Sequence, residues 1–331
     1  MNYREAILNG TKAAAAIHEQ LGARAQVETL QRGSIDVFGS ILGVGASLVF
    51  RPLDGLLGAC LDGKGVIIST NRPLSVQRFT GAHELGHLVM QHPLSLDGEE
   101  ILTGELQQDE NGVELEANAF AGEFLLPRWL LVHHAKRQEW NAESMKDPAL
   151  VYQLSLRVGG SFEATARSLE RYKIIGRQTR DELLQVAPKT IKQQILPGYS
   201  PENWYRDVWL ITERDESAFL EGQPEDLFVF RLNEKTGAGY IWDISTLQRR
   251  GFAILSDRRE SDSPPDRIGG PVTRILAAHS PKQPKGEVSL ALRRPWETSG
   301  TPAERLRIDY NLLGKEKGLP RAKRPELAEA A

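Results

Sequence analysis

The chain has 331 residues, with 41 lysines and arginines against 44 aspartates and glutamates, a formal net charge of -3 and a single cysteine. That length allows two or three domains with an ample core, and the charge balance excludes a global electrostatic pull toward nucleic acid. One cysteine excludes an intramolecular disulfide framework and points to a reducing compartment. No apolar run approaches the ~20 residues of a membrane span, and the run from Ala13 to Ile17 is too short for a signal peptide. The cytoplasm is the expected location, with no membrane partner.

Two helices are expected in the first fifty residues. Glu5 to Leu21 closes at Gly22, and Ile35 to Leu42 is capped by Ser34 and closes near Gly43. A β-rich part follows from Ser47 to Ile68, and Gly65-Val-Ile-Ile-Ser69 reads as a buried strand. The next helix carries the chemistry. Ser75 offers its N-cap, and Val76, Thr80, His83 and His87 follow at spacings of 4, 3 and 4.

Within it, His83-Glu84-Leu85-Gly86-His87 matches H-E-x-x-H. Residues four apart stack on one helix face, so both imidazoles can point at one ion. Glu84, beside His83, can lean toward a water on that ion instead. Such a site needs a third protein ligand and keeps its fourth position open. The third histidine of a metzincin would fall at Pro93, one residue past His92, so His92 is expected to be a surface or packing residue. The acidic loop from His92 to Asn111 reads as a solvated connection.

The following helix, Val113 to Pro127, places Glu114, Ala117, Asn118 and Ala121 on one face, and its small alanines allow a close approach to the first helix. Glu114 is the expected third ligand, and Asn118 the acceptor that fixes the tautomer of a ligating imidazole. Glu116 points elsewhere and is expected to be a solvated carboxylate. The expected cofactor is one Zn2+ ion, which lowers the pKa of its bound water and polarises the scissile carbonyl. Glu84 would take the water's proton and return it to the leaving amine. Cys60, in Leu57-Gly-Ala-Cys-Leu61, keeps two readings: a small core residue, or a thiolate switch that closes the metal's open position.

Arg78-Phe-Thr-Gly-Ala-His-Glu-Leu-Gly-His87, together with Glu114-Leu-Glu-Ala-Asn-Ala-Phe-Ala and Leu125-Leu-Pro127, resembles the ImmA/IrrE family of bacterial metallopeptidases. Pro52 to Cys60 and Asn71-Arg-Pro73 resemble the region ahead of that family's zinc helix. The resemblance covers about residues 5 to 195. It implies a gluzincin-like core, zinc bound by His83, His87 and Glu114, and Glu84 as general base. It also implies a protein substrate: a small helix-turn-helix repressor of the XRE type, whose cleavage switches on a stress-response, defence or mobile-element programme.

From Asp147 to Leu196 the pattern is helical again, with a Gly159-Gly160 turn and a second helix capped by Ser161, which resembles a helix-turn-helix. Arg167, Arg171, Lys173, Arg177 and Arg180 give it a basic bias, but Glu163 and Glu170 share the helix. DNA contact through residues 150–180 is therefore a subordinate expectation.

Pro197 to Pro201 reads as a hinge, beyond which the periodicity becomes two. Phe228, Phe230 and Leu232 alternate, as do Val288, Leu290 and Leu292, and Leu306, Ile308 and Tyr310, which argues a β-sandwich of about 110 residues. The loop from Asp257 to Asp266 is expected to be mobile. Asn233 to Trp242, Arg267-Ile-Gly-Gly270 and Arg294-Pro-Trp296 occur in the order used by chagasin-like inhibitors of papain-type cysteine peptidases, a resemblance covering residues 205–311. It implies an immunoglobulin-like sandwich with Tyr240, Trp242, Gly269, Gly270, Arg294 and Trp296 at a partner-binding tip. A second reading buries Trp242 and Trp296 in the core. The first loop lacks a proline after Asn233 and has two extra residues, and Arg267 stands where the family has glycine.

The expected fold class is thus α+β: a gluzincin-like metallopeptidase core over residues 1–146, a helix-turn-helix-like segment over 147–197, and an all-β sandwich over 198–312. Residues 313–331, basic and then acidic, are expected to form a disordered tail. The expected function is a zinc endopeptidase acting on a repressor. The alternative is a non-catalytic regulator or binding module, contacting DNA or inhibiting a peptidase, with a structural zinc site.

Overall fold

The computed structural model describes residues 2–61, 64–93, 95–98, 112–196, 198–261, 272–297 and 300–323. The chain divides into two units, residues 1–131 with 158–168 and 315–331, and residues 132–157 with 169–314. Among the described residues, no helix is long and apolar enough to cross a membrane.

The first unit opens with α1 (Tyr3–Gln20), α2 (Ala23–Leu30) and α3 (Val37–Gly43). Helix α2 was not anticipated: Gly22, at φ 60°, turns the chain into it instead of ending the helical region. Helix α3 is capped by Asp36 and not Ser34, its Oδ1 accepting the Gly39 N–H at 2.9 Å. Strands β1 (Ser47–Arg51), β2 (Gly58–Leu61), β3 (Gly65–Ser69) and β4 (Ser95–Asp97) make one sheet in the order β1-β3-β2-β4. β1 lies parallel to β3, and the β2 pairings are antiparallel.

Helix α4 (Leu74–Met90) is buried at Gln77, Arg78 and from Thr80 to His87. It starts behind Pro73, whose φ of -60° and ψ of 160° set the entry, so Ser75 falls inside the first turn and not at the N-cap. It ends at Gln91, in the left-handed region at φ 56°, and the next N–H, that of His92, returns to the His87 carbonyl at 2.9 Å. Helix α5 (Gly112–Leu125) crosses α1 and α4 where those helices carry glycine. A Cβ at Gly10 would strike the Glu116 carbonyl, and one at Gly86 would press on the Phe120 ring at 3.1 Å. Larger residues would hold the helices apart.

The tail is a correction. Residues 315–323 are not loose: Phe50 and Gly318 exchange both backbone hydrogen bonds, at 2.7 and 3.0 Å, on the free side of β1. The Gln77 amide pairs with the Glu316 backbone at 2.8 and 3.1 Å, and Lys315 donates to the Thr70 carbonyl at 2.7 Å. These bonds satisfy a strand edge and a buried amide on α4, which compensates the entropy of ordering a charged segment.

Further along lie α6 (Arg128–Arg137), α7 (Pro148–Val158), α8 (Phe162–Arg171), α9 (Arg177–Gln185) and α10 (Pro188–Ile195). Ser161 caps α8, its hydroxyl accepting the Ala164 N–H at 3.0 Å.

In the second unit, β5 (Val208–Ile211), β7 (Leu227–Glu234), β10 (Val272–His279) and β9 (Ala253–Ser261) form one four-stranded sheet in that order. β6 (Ala218–Glu221), β12 (Glu304–Asn311), β11 (Lys285–Arg293) and β8 (Ile241–Asp243) form the other, and a short α11 (Ser245–Arg249) follows β8. The alternating residues Phe228, Phe230, Leu232, Val288, Leu290, Leu292, Leu306, Ile308 and Tyr310 meet in one core. On the edge strand β5, the Gln153 amide of α7 donates to the Val208 carbonyl at 2.7 Å and accepts the Leu210 N–H at 2.8 Å, as a neighbouring strand would. The segment from Asp257, expected as a mobile loop, stays in β9 as far as Ser261, because Asp257 and Arg259 are paired with Arg274 and Glu234.

Candidate metal centre

Helix α4 presents His83 and His87 one turn apart, both fully buried, and α5 brings Glu114 against them. The His87 Nε2 lies 3.0 Å from His83 Nε2, and Glu114 Oε2 lies 3.2 Å from His83 Nε2 and 3.6 Å from His87 Nε2. Among the described residues, these three form the group with metal-ligand geometry. The donor set suits zinc: with bonds near ~2.05 Å, tetrahedral ligand atoms sit about 3.3 Å apart, the size of this triangle.

Asn118, one turn after Glu114, sets its Oδ1 3.0 Å from His83 Nδ1. An amide oxygen there accepts the Nδ1 proton and leaves the Nε2 lone pair facing the triangle. Glu84 is fully buried beside β2. The empty Cβ position of Gly58 lies 2.7 Å from Glu84 Oε1 and closer still to the Thr80 methyl, so the glycine lets the strand lie against this carboxylate.

Two residues depart from expectation. His92 is not a bystander: its Nδ1 lies 3.0 Å from His87 Nδ1 and its Nε2 3.0 Å from Glu116 Oε2. Glu116 is not solvated but buried, and it also accepts the Asn9 amide at 2.8 Å. Burial lowers the His92 pKa, the neighbouring His87 adds to that, and Glu116 opposes it. A signal for Glu116 was present, since Ala117, Ala119, Phe120, Ala121 and Phe124 make α5 apolar on nearly every side. Cys60 is buried in β2 opposite Val66, and its sulfur is not part of the donor group.

In the sandwich, Trp242 is 1% exposed and its indole N–H donates to the Asn233 carbonyl at 2.9 Å, so it belongs to the core and not to a tip. Trp296 is 68% exposed and covers Gly239, where a Cβ would run into the indole. The Arg294 guanidinium sits 4.6 Å from the Tyr240 ring centre, and its Nε donates to the Ala238 carbonyl at 3.0 Å. Tyr240, Arg294 and Trp296 thus gather around one loop, while Gly269 and Gly270 lie outside the described residues.

These parts define a class: an α+β domain with a candidate metal triad, followed in the chain by a two-sheet β-sandwich. Residues 42–170 match the IrrE N-terminal-like domain, a peptidase family model, and residues 223–311 match the chagasin family of peptidase inhibitors. No curated protein matches the chain. Similar solved structures include the cysteine protease inhibitor EhICP2 from Entamoeba histolytica, at 22% identity over 34% of this chain and 99% of the inhibitor, with a TM-score of 0.28. Amebosin is 15% identical over 32% of this chain and 96% of its own, with a TM-score of 0.24. A transcriptional regulator of Mycobacterium tuberculosis is 15% identical over 85% of this chain and 82% of its own, with a TM-score of 0.31.

Proposed function

We propose that the chain is a zinc-dependent endopeptidase of the cytoplasm that cuts a small helix-turn-helix repressor of the XRE type, and so releases a stress-response, defence or mobile-element programme. The observation that carries this reading is the convergence of His83, His87 and Glu114 beside the buried Glu84. His83, His87 and Glu114 hold the one ion; when bound, zinc supplies Lewis acidity, activating a water and polarising a peptide carbonyl. Glu84 takes a proton from the attacking water and delivers it to the leaving amine. Its burial against β2 keeps it from bulk water. Asn118 holds the His83 ring. The repressor as substrate class rests on the IrrE-type match over residues 42–170. Tyr240, Arg294 and Trp296 of the sandwich supply a docking tip for a protein partner, and DNA contact plays no main part.

The test is Glu84→Ala in the full-length protein, assayed on candidate XRE-type repressors. Zinc stoichiometry is expected to stay at one ion while cleavage falls by roughly 100- to 10,000-fold. Undiminished cutting by that variant would refute the catalytic assignment and favour a metal site that serves structure alone.

A further inference from the structure

The second imidazole of the triangle is held by a chain of hydrogen bonds whose direction can be worked out atom by atom. Glu116 has its Oε1 occupied by the Asn9 amide at 2.8 Å and turns Oε2 to His92 Nε2 at 3.0 Å. A carboxylate only accepts, so the proton in that second bond sits on His92 Nε2. A neutral ring protonated there has a bare Nδ1. That nitrogen lies 3.0 Å from His87 Nδ1 and must accept from it. The His87 proton is therefore on Nδ1, which leaves its Nε2 lone pair 3.0 Å from His83 Nε2 and 3.6 Å from Glu114 Oε2.

We propose that His92 and Glu116 are positioning residues of the metal centre, fixing the His87 tautomer so that its Nε2 lone pair faces the triangle before any ion arrives. The inference rests on the reading of His87 as a metal ligand. Two local features serve it. The left-handed turn at Gln91 folds His92 back over the end of α4, and Gly10 lets α1 come close enough for Asn9 to reach Glu116. Together with Asn118 on the other ring, the relay aims two imidazole lone pairs and one carboxylate oxygen at a common point. A doubly protonated His92 would reverse the polarity, because it would then donate to His87 as well.

The test uses the full-length protein, with ring-nitrogen NMR on the metal-free form and Zn2+ titrated against a chromophoric chelator. In the wild type, His87 is expected to carry its proton on Nδ1 and His92 on Nε2. His92→Phe and Glu116→Leu should each weaken Zn2+ binding by roughly 10- to 100-fold. His92→Gln, whose amide can accept at one end and donate at the other, should recover much of that loss. Thermal unfolding of the metal-free variants separates lost positioning from lost folding, and the wild-type spectra decide the question even if a variant fails to fold. Zinc binding absent from the wild type would sink the metallopeptidase reading, yet the tautomers would still stand or fall by themselves. A His87 proton on Nε2, a doubly protonated His92, or affinities within about two-fold of wild type in both variants would overturn the relay.

Discussion

Around Glu234 in the sandwich, opposite groups meet. Its carboxylate takes Arg259 at 2.6 and 3.2 Å and the Trp242 N–H at 3.0 Å, while Arg274 clamps Asp257 with two bonds of 2.6 and 2.8 Å. Around Glu114 the rule is different, for two imidazole nitrogens and a carboxylate oxygen, all able to offer lone pairs, crowd within 3.6 Å. The first pattern is what a fold needs, because each buried charge is cancelled where it lies. The second cancels nothing by itself and offers a cation three lone pairs. The contrast separates buried polar groups that hold the molecule together from those that equip it to act.

The largest effect expected from breaking this contrast lies on its structural side. Arg157 of α7 is clamped on Asp215 at 2.9 and 3.0 Å, with side chains only 4% and 1% exposed, and Gln138 completes the carboxylate at 2.7 Å. Arg157→Leu strands that buried carboxylate and is expected to cost about 3–5 kcal/mol in urea unfolding. Adding Asp215→Leu should return most of the loss, since a well-packed apolar pair of similar volume is often neutral. A single variant as stable as the wild type would show that the clamp is not holding the unit.

On the other side, Gly58→Ala pushes a methyl group toward the Thr80 methyl and the Glu84 carboxylate. Zinc should still bind, because none of the three donors touches that strand position. Cleavage should fall on the order of 100-fold if Glu84 is displaced by an ångström or so. Full activity in this variant would mean that β2 does not set the position of Glu84.

The parts visible in the sequence were those with a fixed period or spacing. Four-residue spacing put His83 and His87 on one helix face, the small face of α5 pointed to Glu114 and Asn118, and the two-residue alternation placed Phe228, Val288 and Leu306 in one core. What stayed hidden depends on contacts between distant segments. His92 reads as a surface or packing residue because only the left-handed turn at Gln91 brings it back to His87, and that backbone choice is not written in a glycine. Glu116 reads as solvated because its burial comes from α1, more than a hundred residues earlier, crossing at Gly10. The tail reads as disordered from its charge, although its backbone pairs with β1 through Gly318 whatever its side chains carry. Trp242 could be placed at a tip or in a core by sequence alone, and the strand register opposite Leu292 decides for the core.

The smallest effect expected is a pH dependence at Asp257, and it tests whether the sandwich charges are matched as described. Hydrogen bonds from Arg274 hold this carboxyl below its ordinary range, against a smaller opposing effect of burial. Because the folded pKa is depressed below the unfolded value of 3.8, the contribution is complete at neutral pH. It is lost as the pH falls below that unfolded value and through the folded one. Asp257→Asn should therefore cost about 1–2 kcal/mol at neutral pH, the worth of a charge-assisted bond, and progressively less in acid. Urea unfolding of both proteins from neutral pH down to about 3 reads the gap between them, which should narrow with acid if the clamp is ionic. Curves that stay parallel over the whole range would show that Asp257 holds Arg274 by shape and not by charge, and the contrast with Glu114 would then lose its electrostatic basis at this pair.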